Sequence, residues 1–182
     1  QALNMQRNCV YEERRRIFEK QNLRRWVIDY AERSVNDLAI SLKELKDEQT
    51  LDYFSLKLQN LLGLPFRIDA WNNEKDLTDY LAFLPQQIQI TYDLKELEME
   101  NVEKGLLREI EKSFILQQID YSWMQHLQRI KFLSDSIRWR AYGQKNPLTE
   151  YKKEAFNYFL IMLARIRHRV VYFVLRSKII LF

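Results

Sequence analysis

Between two long segments with a helical pattern, residues 140–147 read Arg140-Ala141-Tyr142-Gly143-Gln144-Lys145-Asn146-Pro147. Gly143 is the only glycine and Pro147 the only proline between residues 106 and 182, so every other position there can be helical. The chain is therefore predicted to fold back once, as an antiparallel hairpin of two long helices. The tip of this hairpin carries one tyrosine and two cations, and we expect it to contact another molecule.

Apolar residues recur on both sides of the break at steps of three to five, mostly four, which is the spacing of one helical face. Before the break they are Leu106, Ile110, Phe114, Ile119, Trp123, Leu127, Ile130, Leu133 and Ile137, and after it Leu148, Tyr151, Ala155, Phe159, Met162, Ile166, Val170 and Phe173. At 1.5 Å per residue the two helices are about 50 and about 40 Å long. Residues 1–22 are predicted to pack beside them as a third helix.

The composition predicts an all-α fold. Three glycines and three prolines among 182 residues are too few for a protein rich in strands or loops, whereas Leu, Glu, Lys, Arg and Gln are abundant. Hydrophobic residues make up 47% of the chain, which is enough to form a core and argues against general disorder.

Shorter helices are predicted before the hairpin. The inner face of the first, residues 1–22, consists of Leu3, Val10, Ile17 and Phe18. Helical patterns follow over 26–45 and over 51–62, and Gly63 is expected to end the latter.

Helix-breaking residues cluster in the middle of the chain. Pro85 is predicted to end a short helix that reaches Leu81, and a separate helical stretch follows over 88–97. We therefore predict three parts: the end of a long helix over 1–22, a small helical subdomain over 23–100 and the hairpin over 101–182.

The charge is unevenly distributed. Residues 1–100 contain 14 Lys and Arg against 18 Asp and Glu, whereas residues 129–182 contain 12 against 3. A basic distal half favours an anionic partner, such as nucleic acid, lipid headgroups or an acidic protein surface. A solvated, arginine-rich helix face explains the same pattern without a partner.

No catalytic, cofactor or metal site is expected. The glycines are isolated, so there is no phosphate-binding loop. His126 and His168 lack a second ligand at zinc-binding spacing, and Cys9 is the only cysteine. We expect His126 to pack against a helix or lie on the surface.

Three motifs, in order, resemble the SecA family of protein-export motor ATPases. Residues 116–127 contain Asp120, Trp123, His126 and Leu127 in a D-x-x-W-x-x-H-L element, and residues 137–156 resemble the family segment I-x-L-R-G-Y-A-Q-K-D-P-x-x-E-Y-K-x-E-x-F. The pattern Leu3-Asn4-x-Gln6-Arg7-x-x-x-Tyr11-x-x-Arg14-Arg15 is similar to the end of the family's long scaffold helix. The chain departs from the family at Ser134 and Ser136, which replace an Arg and a Gly, and at Trp139.

The resemblance implies an architecture and a place in a larger protein. Residues 1–22 would end the long scaffold helix, 23–100 would form the helical wing domain and 101–182 the two-helix finger. The chain itself would hold no cofactor, because ATP and Mg²⁺ bind the family's motor domains, which would precede Gln1. The implied location is the bacterial cytoplasm or the plastid stroma, with peripheral attachment to the inner or thylakoid membrane.

The resemblance also implies partners and roles for individual residues. The partners are a preprotein, the SecY/SecE channel and an anionic membrane surface. Tyr142 corresponds to the family's tip tyrosine and would contact the preprotein, and Arg140, Gln144 and Lys145 would flank it as polar contacts to the preprotein or channel. The structural residues would be Trp123, Leu127, Pro147 and Tyr151.

Two other functions remain open at this point. The basic half suits a helical module that binds nucleic acid, although the favoured interpretation has no nucleic acid partner. The amphipathic helices also suit an adaptor that binds a partner helix.

Overall fold

The structure is a computed structural model that describes residues 2–44, 50–63, 74–140 and 147–177, with side chains described over 3–41, 53–63, 81–137 and 147–177. The described residues form six α-helices and contain no strand, which confirms the all-α prediction. In chain order the helices are α1 (Ala2–Glu19), α2 (Arg24–Glu44), α3 (Thr50–Leu62), α4 (Glu74–Glu100), α5 (Leu106–Arg140) and α6 (Pro147–Arg176).

The two longest helices lie on either side of the predicted break. Helix α5 has 35 residues and α6 has 30, and α6 begins at Pro147. Proline is favoured at the first position of a helix because the backbone N–H that it lacks has no partner there in any case. Residues 141–146 lie outside the described part of the chain.

The predicted break at Pro85 is wrong, because α4 continues through it as one helix of 27 residues. Pro85 lies on the exposed side of α4, whereas Leu84, Ile88 and Tyr92 are each 1% exposed. Proline removes one backbone hydrogen bond and crowds the preceding turn, at a cost of about 3 kcal/mol in a helix interior. The buried stripe runs past the proline without a change of phase, so tertiary packing offsets that cost.

Several residues predicted to face inward are exposed. At the start of α5 the buried positions are Leu107, Glu111 and Ile115, one residue later than the predicted stripe. Three further residues that were predicted to face inward are exposed, namely Phe18 (62%), Leu148 (61%) and Phe173 (40%). Each of the three predicted residues at the start of α5, Leu106, Ile110 and Phe114, is directly followed by a residue that is buried instead. Periodicity alone therefore leaves the phase of those first turns open, whereas Ile119, Trp123, Ile130, Leu133 and Ile137 are buried as predicted.

The helices pack as two units. The first unit comprises residues 1–20 and 115–166, and the second comprises residues 21–114 and 167–182. The boundary falls within α5 and again within α6, so both long helices contribute to both units. The three-part division at residues 22 and 100 stays a prediction.

Helix α3 of the second unit ends as predicted at Gly63, which has φ of +72°. A left-handed residue at this position is inexpensive only for glycine, because it has no Cβ. Its N–H donates to the carbonyl of Gln59 at 2.9 Å, which closes the last turn of α3.

A buried polar cluster joins α4 to the first turns of α5 in the second unit. The Glu111 carboxylate is fully buried and accepts hydrogen bonds from the Tyr92 hydroxyl and, at 3.0 Å, from Arg108 Nη1. Arg108 also pairs with Glu96 and donates to the Tyr92 oxygen. Burial raises the pKa of Glu111 above its usual value, although the hydrogen bonds and the Arg108 charge act in the opposite direction. We call these four residues the Glu111 cluster.

Candidate functional site

The first unit supports the residues on either side of the hairpin tip. It combines α1 with α5 from Ile115 onward and α6 up to Ile166. His126 of α5 contacts Phe159 of α6, whereas Ile137, eleven residues later, packs in one cluster with Ala155. The contact farther along α5 is made with a residue nearer the start of α6, so the two helices run antiparallel.

An apolar cluster packs the last turns of α5 against the first turns of α6. Its buried members are Ile130, Leu133, Ile137 and Ala155, and Leu3, Tyr151 and Tyr158 pack against them. Ile137 is three residues before Arg140, where α5 ends, and Tyr151 is in the second turn of α6. Close packing of this kind restricts the motion of the two helix ends that flank residues 141–146.

A buried hydrogen-bond chain links the three helices. Gln6 Nε2 donates to the carbonyl of Ala155 at 3.3 Å, and Gln6 Oε1 lies 2.9 Å from His126 Nε2. Since the amide oxygen can only accept, His126 carries its proton on Nε2 in this arrangement. The His126 ring also contacts Trp123 at 5.5 Å and Phe159 at 5.8 Å, measured between ring centroids. His126 thus acts as a polar connection inside a mostly apolar unit.

Arg14 and Asp120 form a second connection between α1 and α5. Arg14 Nε and Nη2 donate to the two carboxylate oxygens at 2.8 and 3.1 Å, which is a bidentate arrangement. Both side chains are about half exposed, at 43% and 54%, so solvent weakens the attraction. The pair therefore adds little to the stability of the fold, and its main effect is on the orientation of α1 relative to α5.

His126 predicts a specific pH dependence of stability. Burial, and then the positive charge of Arg129, lower the pKa of His126 below its ordinary 6.5. As the pH falls through 6.5, the unfolded chain takes up a proton that the folded chain does not, so the free energy of unfolding decreases. We expect wild type to lose more stability than His126→Gln between pH 7 and pH 5.

Chemical denaturation at each pH measures this difference. His168, whose pKa burial also lowers, and Glu111, whose raised pKa acts in the opposite direction, titrate in both proteins and cancel in the comparison. Parallel pH profiles for wild type and His126→Gln would contradict the assignment of a neutral buried His126.

The residues expected to contact partners lie mostly outside the described region. Tyr142, Gln144 and Lys145 fall there, and Arg140 is the last residue of α5, with no side chain described. Their role as contacts stays a prediction.

The four residues expected to be structural all lie in the first unit. Trp123 is 8% exposed, Leu127 is half-buried and Tyr151 packs on the apolar cluster. Pro147 begins α6. Of the two departures from the family pattern that the structure describes, Ser136 donates to the carbonyl of Leu133 at 2.9 Å, and Ser134 is half-buried.

Sequence reasoning did not find the role of Gln6. Gln6 and His126 are 120 positions apart, and neither periodicity nor composition pairs residues at such a distance. The available signal was that Gln6 is a polar residue on the same helical face as Val10 and Ile17, two buried residues of α1.

Among the described residues, no group of acidic, histidine or cysteine side chains is arranged to hold a metal ion. Nor does any described helix combine the length and apolar character needed to cross a membrane. In the first unit, α1 braces the helical hairpin formed by α5 and α6.

Comparison with known protein families decides the classification. The sequence model of the SecA wing and scaffold domain matches residues 1–178. The chain belongs to this family. The resemblance found in the motifs is therefore confirmed, and it extends over the weakly patterned middle of the chain as well.

The relatives are named protein translocase subunit SecA. The SecA of Emiliania huxleyi is 51% identical over 98% of this chain, that of Antithamnion sp. 39% over 99%, and that of Nostoc sp. 40% over 94%. The chain spans 20%, 21% and 19% of the lengths of these three proteins. This chain of the SecA wing and scaffold family thus corresponds to about one fifth of each relative.

Proposed function

We propose that this chain is the wing and scaffold portion of a protein-export motor and that its hairpin tip contacts the polypeptide being exported. The match of residues 1–178 to the SecA wing and scaffold domain carries this proposal. The relatives' name, protein translocase subunit SecA, supports a role in moving proteins through a channel. ATP hydrolysis would occur in other parts of the complete protein.

The braced hairpin suits a part that transmits force. An apolar cluster, a buried hydrogen-bond chain and a bidentate ion pair join its three helices. Helix ends held together by such packing would move as one, so a displacement of one helix of the first unit would be transmitted to the chain between α5 and α6. The complete protein would act at a SecY-type channel, on an anionic membrane surface, in the cytoplasm or plastid stroma.

Tyr142 is the proposed substrate contact, flanked by Arg140, Gln144 and Lys145. A phenol ring offers a flat apolar surface and one hydroxyl, so it can engage many side chains and the backbone. That generality matches a motor that must move polypeptides of unrelated sequence.

Site-specific photocrosslinking tests this contact in the complete protein. A photoreactive amino acid at position 142 is expected to form an adduct with a preprotein arrested during translocation. Phe132, which is 75% exposed on α5, provides the matched control position, and no adduct is expected there. Tyr142→Ala should slow translocation severalfold, whereas Phe132→Ala should not.

The opposite pattern would reject the tip assignment. If position 142 forms no adduct while other positions of the motor do, the contact lies elsewhere. Equal yields at positions 132 and 142 would indicate an unspecific surface.

A further inference from the structure

Helix α4 of the second unit carries apolar residues on two sides. Its buried side consists of Leu84, Ile88, Tyr92 and Met99, together with Lys95. A second set is exposed, and its members are Phe83 (49%), Ile90 (44%), Leu94 (60%) and Leu97 (62%). At 3.6 residues per turn, the two sets point in nearly opposite directions. The first set therefore packs within the second unit, whereas the second set is left uncovered by the part of the chain that the structure describes.

The four exposed residues form one continuous stripe, which we call the outer stripe of α4. They follow one another at steps of seven, four and three, which is the heptad spacing of a helix that pairs with another helix. Gln87, which is uncharged, fills the remaining position of this spacing. Single exposed apolar residues are common on protein surfaces, but a helix that is apolar on two sides is usually covered on both. The outer stripe therefore has the pattern of a surface for a partner helix.

Negative charge borders the outer stripe. Glu98 and Glu100 are exposed on either side of its last turn, and the Glu98 side chain remains 58% exposed although it pairs with the buried Lys95. In the sequence, Asp76 and Asp79 continue the same spacing towards the start of α4. Over the whole helix, 7 Asp and Glu stand against 2 Lys. The outer stripe is thus acidic at both ends, and a basic partner complements it.

The same charges argue against a second copy of α4 as the occupant. In a parallel pair each acidic end of the stripe would meet its own counterpart, and in an antiparallel pair it would meet the opposite acidic end. Like charges that face each other across an interface are costly. A helix of different sequence, with the same apolar spacing and with Lys or Arg on its flanks, avoids this repulsion and gains attraction instead.

We propose that the outer stripe of α4 binds a basic amphipathic helix of another protein. The apolar face of that helix would cover Ile90, Leu94 and Leu97, and its Lys and Arg side chains would reach Glu98 and Glu100. The stripe is one helix wide and is bordered by charged side chains, which keeps it soluble while it is vacant and suits a partner that binds reversibly. This inference does not depend on the proposed function.

A matched pair of helical peptides tests the charge and the spacing. Both have Leu at the a and d positions of each heptad, and one has Lys and the other Glu at the e and g positions, so like charges keep each peptide monomeric. An apolar photoreactive amino acid at position 94 of the complete protein is expected to form an adduct with the lysine peptide, and about tenfold less with the glutamate peptide. The yield with the lysine peptide should decrease as the salt concentration rises. Position 40, where Ile40 is 52% exposed on α2 of the same unit, is the control, and no adduct is expected there.

Variants of the outer stripe test the apolar contribution. Fluorescence anisotropy measures the dissociation constant of the lysine peptide for the complete protein. Leu94→Ser combined with Leu97→Ser should raise this constant by about tenfold or more, because two apolar side chains lose their contact with the peptide. Ile40→Ser should leave it unchanged. Since all three residues are exposed, circular dichroism should show the same helix content in the variants and in wild type.

Crosslinking in cells that express the complete protein tests the source of the natural partner. Adducts from position 94 are expected to contain a segment of a different protein, with apolar residues at heptad spacing and a net positive charge on its flanks. Mass spectrometry of the crosslinked peptides gives that sequence directly.

Other results would overturn the proposal. With the peptides, they are equal yields for the lysine and glutamate forms, equal yields at positions 40 and 94, and unchanged binding to the protein with Leu94→Ser and Leu97→Ser. In cells, the absence of an adduct at position 94 would mean that no partner occupies the stripe. An adduct within the same protein would assign the stripe to internal packing or to a second copy, and a partner segment without basic flanks would contradict the charge argument.

Discussion

Trp123→Ala is expected to lower the free energy of unfolding of the 182-residue chain by about 3–5 kcal/mol. Trp123 is 8% exposed, and its ring contacts the His126 ring that joins the three helices of the first unit. Removing it leaves a cavity and takes away one wall of the buried hydrogen-bond chain. Denaturant unfolding followed by circular dichroism measures the loss.

Met124 provides the matched control for this prediction. It is the next residue of α5 and is 52% exposed, so Met124→Ala should change the free energy of unfolding by no more than about 0.5 kcal/mol. A Trp123→Ala protein within 1 kcal/mol of wild type would mean that the ring is not part of the core.

Glu111→Ala has the second largest expected effect, a loss of about 3 kcal/mol in the free energy of unfolding. Removing one member of a buried ion pair leaves its partners without a counter-charge or acceptor. Here Arg108 would lose one of its two carboxylates, and the Tyr92 hydroxyl its acceptor. Because the Arg108 side chain remains 20% exposed and keeps Glu96, the lower end of the range for buried pairs applies.

Two variants separate charge from shape at this position. Glu111→Gln keeps an acceptor for Tyr92 and should lose less than Glu111→Ala. Glu109→Ala changes an exposed glutamate of the same helix and should have little effect. Equal losses for Glu109→Ala and Glu111→Ala would show that the Glu111 cluster does not contribute to stability.

The hairpin and its break were predictable because helix breaking is a local property. Backbone conformation at glycine and proline depends on the residue itself, and the long stretch from 106 to 140 contains neither. The same reasoning failed at Pro85, where the local penalty is real but the buried stripe of α4 continues on both sides. Residue propensities give the free-energy cost of placing a residue in a helix. Only the tertiary contacts of the neighbouring residues show whether burial offsets that cost.

The candidate site was less predictable than the fold. Motif order identified the family and located the break between α5 and α6, but it gave no indication of the hydrogen-bond chain through Gln6. Gln6 and His126 each lie at a helical spacing from buried residues of their own segments. Placing Gln6 beside His126 and Ala155 requires the register among α1, α5 and α6, which periodicity does not contain.

By itself, the sequence determined the helical class of this protein, the position of its one long hairpin and its membership of the SecA family. These follow from residue propensities, spacing and motif order, which are properties of single segments. Only the tertiary structure decided which face of α5 is buried around Glu111 and that Gln6 binds His126. Those outcomes depend on the partner that each helix meets, because a side chain's burial and pairing are set by contacts between segments far apart in the chain.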